Sequence, residues 1–384
     1  MKNEKKMHIS RKLGCAGMVL LLAGCSSWFA DKPKNPPATL LEFKETMAVT
    51  KAWSAAVGNA GIYTFSPAVF GDSVFVAGND GTLNRIAAAD GKSYWRINAG
   101  MKLSAGVGTD GETVAVVGEK GLVMAFDADG KARWKVQSSS EVLSAPGVGS
   151  GIVVVRSIDN HITAYDAASG AKRWSAQRPA PSLTLRSAPG IVISNGIVYV
   201  AMPGGKLLAL AASNGGVRWE AAVGAPKGAT ELERMTDTSG MPVVDGADIC
   251  ASSYQGRLGC FNTVSGVARW TKELSSDAGV AVDERFVFGV DEHGALNAFS
   301  RDTGASVWRN DKLSYRRLST AASFGRAVAV GDYQGYIHFL SREEGTFLAR
   351  VSTDGSPIRS TPVVVGKNLI FQTQAGTVVA LSTE

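Results

Sequence analysis

From residue 187 to 219 the chain alternates short apolar or β-branched runs (191–194, 197–202, 207–211 and 217–219) with the polar pairs Asn195-Gly196, Gly204-Gly205 and Asn214-Gly215. Runs of this kind predict strands, and the pairs predict tight turns, because Gly and Asn accept positive φ. A four-stranded unit cannot bury both of its faces by itself, so it requires copies on either side.

Copies run along the whole chain. A Gly followed four residues later by Trp recurs as Gly91/Trp95, Gly130/Trp134, Gly170/Trp174, Gly215/Trp219, Gly266/Trp270 and Gly304/Trp308. Gly345 continues the series with Leu348 where the aromatic is due, and Trp53 precedes it without the Gly. Successive Trp positions are 38 to 51 residues apart, which suits a four-stranded propeller blade of roughly 40 to 50 residues. The start of the unit recurs too, as Ser66-Pro67, Ser144-Ala145-Pro146, Ser187-Ala188-Pro189, Gly240-Met241-Pro242 and Ser360-Thr361-Pro362. Degenerate copies at Ser104-Ala105, Asp277-Ala278-Gly279 and Ser319-Thr320-Ala321 bring the starts to eight. Pro suits the first residue of a strand, where its missing N–H removes no ladder bond.

The two ends complete each other. Residues 48–57 look like an outermost strand with no start before it, while three strand signals after Pro362 (363–365, 369–372 and 378–381) have no closing Trp. Pairing them completes an eighth blade and closes the ring, which removes exposed edges. The expected fold is all-β, an eight-bladed propeller over residues 45–384, with the Trp series as interblade packing. The 44 glycines among 384 residues, about 11% against the usual roughly 7%, agree with so many turns.

The first 24 residues stand apart. Lys2, Lys5, Lys6, Arg11 and Lys12 precede an apolar stretch at 13–23, the pattern of a secretory signal and too short to span a bilayer as a stable helix. Leu22-Ala23-Gly24-Cys25 is similar to the bacterial lipobox, a resemblance that implies a lipid on Cys25 as the chain's anchor. Ser26 at the next position resembles outer-membrane sorting, with the protein facing the periplasm. Residues 25–44, with Pro33, Pro36 and Pro37, read as an extended tether. Loss of residues 1–24 leaves 35 basic against 33 acidic residues, a net charge of about +2. With no cluster of Lys and Arg interleaved with aromatics, nucleic acid is excluded as a partner.

Two cysteines remain beyond the signal and the lipobox, Cys250 and Cys260, placed symmetrically about Gln255. They are either a cross-strand disulfide, which an oxidising compartment allows, or two small buried hydrophobes. Their spacing with no His nearby argues against zinc. His161, His293 and His338 fall in three different blades and read as solvated residues, so no metal or catalytic site is expected.

The blades resemble the repeats of pyrroloquinoline-quinone dehydrogenases, whose site takes a vicinal Cys pair and a carboxylate-bound calcium. Neither motif occurs here. A quinoprotein-like periplasmic dehydrogenase is therefore the alternative, and a non-enzymatic scaffold without a cofactor is the expectation.

Function is expected where copies depart from the repeat. From Trp to the next start Pro the usual gap is 12 to 15 residues, but from Trp219 to Pro242 it is 23. The excess loop, 225–239, contains Glu231, Glu233, Arg234 and Asp237 and should lie beside the preceding connection, 178–187. That connection carries Ser182-Leu183-Thr184-Leu185-Arg186. Two leucines in a connection either tuck under the ring or wait for a partner, with Arg186 as anchor.

The lipobox, the Pro-containing tether, eight blades and Pro-Ser-Leu-Thr-Leu-Arg before the fourth start together resemble the BamB family of outer-membrane β-barrel assembly lipoproteins. The resemblance covers essentially the whole chain after the signal. It implies a scaffold of the BAM complex that docks on the POTRA domains of BamA and assists unfolded β-barrel outer-membrane proteins. It assigns the docking surface to Leu183, Leu185 and Arg186, with Asp237 from an acidic segment before blade five. Ser239 stands where the family often has a second Asp.

Overall fold

The computed structural model describes residues 34–179, 181–186 and 189–383. The expected signal, residues 1–24, and Cys25, the expected lipid site, lie outside them. The chain divides into two compact units, Met1–Pro37 and Ala38–Glu384. Of the first, the described residues show a bend at Lys34 and Asn35.

The second unit consists of eight antiparallel four-stranded sheets among the described residues. Blade 1 is built from Ala68–Phe70, Ser73–Ala77, Thr82–Ala87 and Ser93–Asn98 in that spatial order, and blades 2 to 7 repeat this meander. Blade 8 takes Val363–Val365, Asn368–Gln372 and Thr377–Thr383 from the end of the chain and its outermost strand, Val49–Ala56, from the beginning. Val49 stands opposite Thr383 and Ala56 opposite Thr377. The ring closes as the sequence predicts.

Burial follows position in the blade. All five residues of Ser73–Ala77 are buried, as they must be in a strand covered on both faces, while the outermost Ser93–Asn98 alternates. The Trp series locks one blade to the next. Trp53 Nε1 donates to Ala88 O of blade 1 at 2.8 Å, and Trp308 Nε1 donates to Arg342 O of blade 7 at 2.9 Å. Gly91, in the same blade 1 turn, has φ +77, and a Cβ there would sit 2.8 Å from the Trp53 ring. The Gly and the Trp of the repeat are thus not partners within a blade. Each Gly packs on the Trp of the preceding blade.

This explains why Leu348 replaces the eighth Trp. Blade 8 draws its last two strands from opposite chain ends, so it has no turn there for a Trp to grip. The segment before Val49 fills the place instead: Thr46 N donates to Leu348 O at 2.9 Å, and Met47 is buried in the same cluster as Leu348. The amide of Ala38 donates to Ser314 O at 2.9 Å. Residues 38–44, expected within the tether, belong to the same compact unit as the blades.

In blade 5, Cys250 and Cys260 are direct partners across neighbouring strands, with Cα atoms 4.0 Å apart and their sulfurs bonded. The turn between them has Gln255 at φ 46.

Candidate functional site

The connection into blade 4 and the long connection into blade 5 meet, because a single carboxylate joins them. Asp237 Oδ2 accepts from the amide of Leu185, and its Oδ1 accepts from Gly204 N at 3.0 Å. Asp237 itself is fixed by a bridge to Pro203 and by the bond from Tyr254 N to its carbonyl, 2.9 Å. It is only 2% exposed. Asp237 is an internal brace, its charge used on one amide of the loop and one of a blade 4 turn. Arg156 is buried nearby at the end of a blade 3 strand. Burial pulls its guanidinium down to about 10, and the Asp237 carboxylate opposes that shift.

Held by its backbone, the loop offers its side chains to solvent. Leu183 is 45% exposed, Leu185 is half-buried and Arg186 is exposed. The Leu183 side chain lies outside the core, so for this residue the loop does not tuck under the ring. Arg186 does not hang free. Its Nη2 donates to both oxygens of Glu141, each at 2.8 Å, across to the connection between blades 2 and 3. Glu141 in turn faces Tyr63, whose phenol is raised by partial burial first and then by the carboxylates of Glu119 and Glu141. Asn79 Nδ2 completes the arc with a bond to Glu119 Oε1, 3.2 Å. Tyr63, Glu119 and Glu141 have no local signature in the sequence. Each sits in a connection or hairpin turn of unremarkable length, and only the ring gathers them.

The acidic loop is ordered by its own side chains. Glu233 Oε2 accepts from Ala229 N and Thr230 N at 2.9 and 3.0 Å, and Thr230 Oγ1 accepts from Glu233 N at 3.2 Å, a reciprocal cap on one turn. These amide bonds hold the Glu233 carboxyl below its ordinary range. Leu232 at the tip of this turn is 64% exposed, so the same face presents another apolar side chain that the sequence did not single out. Ser239 is buried, and its hydroxyl bonds to Ser276 O. An acid in its place would be enclosed rather than displayed.

Of the three histidines beyond residue 24, His161 and His293 are half-buried and exposed, beside Asp159 and Glu292. His338 is fully buried, which corrects its reading as a solvated residue. Among the described residues no three His, Cys, Asp or Glu side chains group as a metal site requires. No described helix is long and apolar enough to cross a membrane.

Comparison with known proteins identifies the family. The family described as outer membrane protein assembly factor BamB matches residues 79–310 and 298–384. The outer membrane protein assembly factor BamB of Bordetella pertussis is 42% identical over 362 residues, 94% of either chain. The crystal structure of BamB from Moraxella catarrhalis superposes with a TM-score of 0.79 at 27% identity, covering 87% of this chain and all of that one. A quinohemoprotein alcohol dehydrogenase from Comamonas testosteroni reaches a TM-score of 0.67 over 87% of this chain and 76% of its own, but at 13% identity it shows the fold alone. With the match spanning well over half of its length, this chain belongs to the BamB family of outer membrane protein assembly factors.

Proposed function

We propose that this protein is a non-enzymatic scaffold, anchored to the outer membrane through a lipid on Cys25, that docks on the POTRA domains of BamA and assists the assembly of β-barrel outer-membrane proteins. Family membership supports the assembly role. The observation that carries the docking site is the mode of holding the Leu-Arg loop: the ring binds its backbone through Asp237 and leaves Leu183 exposed beside Arg186. An apolar anchor next to an Arg is the composition of a binding hot spot. Arg186 reaches a partner carboxylate by exchanging it for Glu141, a trade between charge-assisted pairs.

Titration calorimetry against isolated POTRA domains tests the reading. Arg186→Glu should weaken binding by roughly 30-fold or more, which corresponds to about 2 kcal/mol, and a melting curve should show the ring intact. Unchanged binding by a folded Arg186→Glu protein would move the interface elsewhere. The anchor is tested separately: Cys25→Ala should abolish labelling by a fatty acid, and labelling that persists refutes the lipid site.

A further inference from the structure

Blade 7 contains a group of buried charges that the assembly reading does not use. Asp332 and His338 are fully buried and Arg316 is 3% exposed. Asp332 Oδ2 accepts from Arg316 Nε at 2.8 Å and lies 2.9 Å from His338 Nε2. The other His338 nitrogen, Nδ1, accepts from Arg350 Nε at 3.2 Å. Arg has no acceptor to offer, so Nδ1 must be bare, and the ring proton sits on Nε2 and is donated to Asp332. The tautomer is thereby settled by chemistry.

Both arginines also reach outward to the chain that precedes blade 8's outer strand. Arg316 Nη1 donates to Ala38 O at 3.0 Å, and Arg350 Nη2 donates to Leu41 O at 3.0 Å. Glu45 Oε1 accepts from Arg350 N at 3.1 Å. The Arg350 guanidinium lies 5.1 Å over the Phe43 ring, which stacks on Phe347 at 5.2 Å. Residues 38–47 thus run along the outer strand of blade 7, Phe347–Ser352, and are gripped by two cations whose inner ends meet the buried pair, Arg350 at His338 and Arg316 at Asp332.

We propose that residues 38–47 are a proton-gated strap, which blade 7 holds at neutral pH through Arg316 and Arg350 and releases in acid when His338 takes up a proton. A proton on Nδ1 turns the acceptor of Arg350 into a donor and sets two cations face to face. The charged and titratable groups around His338 are Asp332 and Tyr336 on blade 7 itself, Arg316 from the connection before it, Arg350 from its outer strand and, beyond Arg350, Glu45 from the strap. With two Arg against one buried Asp, a third positive charge has no partner left. Release uncovers the outer edge of blade 7 and frees ten residues, roughly 33 Å when extended.

The direction in pH follows from the burial. Burial holds His338 below its ordinary value, chiefly by desolvation. The unfolded chain therefore takes the proton first. The stability that neutral His338 contributes is complete above about 6.5, the unperturbed value, and is lost as pH falls through the lowered one. Burial alone would raise Asp332, but the bonds from His338, Tyr336 N and Arg316 outweigh it and hold the carboxyl below its usual range, so it stays charged through this window.

Hydrogen exchange of the full-length chain in detergent, read at residues 38–47 at pH 7.5 and 5.5 and corrected for intrinsic rates, tests the proposal. Protection should fall at least tenfold in acid while the amides of blades 1 to 6 keep theirs. His338→Gln, with an oxygen for Arg350 and an N–H for Asp332 but no proton to gain, should keep the strap protected at both pH values. Equal protection of the wild-type strap at both pH values overturns the proposal, as does an acid loss that persists in a folded His338→Gln protein. Should that variant not fold, imidazole ¹⁵N shifts of the wild type decide: His338 must titrate within one pH unit of strap release, and a wider separation refutes the gate.

Discussion

The Leu-Arg loop and the strap are both irregular chain fastened to the ring by charged side chains, and they are fastened in opposite ways. At the loop, a buried carboxylate of the ring accepts from backbone amides, and the apolar Leu183 takes no part. At the strap, guanidinium groups donate to backbone carbonyls, and Leu40, Phe43 and Met47 all pack on the ring. A segment with an apolar side chain left out of the packing keeps that side chain for another molecule, whereas one whose apolar side chains are all packed has already found its partner. The first arrangement displays a surface, and the second covers one.

Asp237→Ala attacks the display most directly. It removes the acceptor of two amides, and leaving a donor unsatisfied costs about 1 to 3 kcal/mol each. The ring should melt several degrees earlier and partner binding should fall with it, while exchange at residues 38–47 stays as in the wild type. An unshifted melting curve would show that the loop is not held by this carboxylate.

Reduction of the Cys250–Cys260 bond comes next. Val243, in the strand that follows Asp237, pairs with Cys250, so the bond supports the side of the ring that carries the loop. Its loss should lower stability by about 2 to 3 kcal/mol in the chain-entropy model and leave the strap untouched. Intact mass after alkylation without reductant should show no modified thiols at these two positions, and two adducts would mean that the pair is free in the protein.

The leucines separate display from support. Leu183→Ala should weaken POTRA binding by about 2 kcal/mol with a change in stability within about 0.5 kcal/mol, as for an exposed residue. Half-buried Leu185→Ala should affect both. Equal thermal losses for the two variants would erase the distinction. The smallest effect belongs to the strap: Phe43→Ala removes a stacked ring from beneath Arg350, worth about 1 kcal/mol. It should speed exchange at residues 38–47 about fivefold without changing partner affinity.

The number of blades, the closing of the ring and the identity of its locking residues were legible in the sequence, because one interblade contact recurs in each copy at nearly fixed spacing. Even Leu348, the one departure, has its cause in the chain order, since a blade assembled from both chain ends has no turn for a Trp to grip. The acidic loop was legible as a departure in length, and the leucines of the neighbouring connection as apolar residues in a polar stretch. What charge does at either site was not. Arg186 finds Glu141 across 45 positions, Leu185 finds Asp237 across 52, and Arg316 finds Ala38 across 278. No local pattern encodes pairings that exist only once the ring has closed. Asp237 in a long loop and His338 in a strand look like surface residues by sequence, yet strands buried on both faces do not alternate, and a loop folded against its neighbour encloses its own acid. Periodicity therefore determined the scaffold, while burial, which only tertiary packing assigns, decided which charges support the chain and which side chains remain to bind.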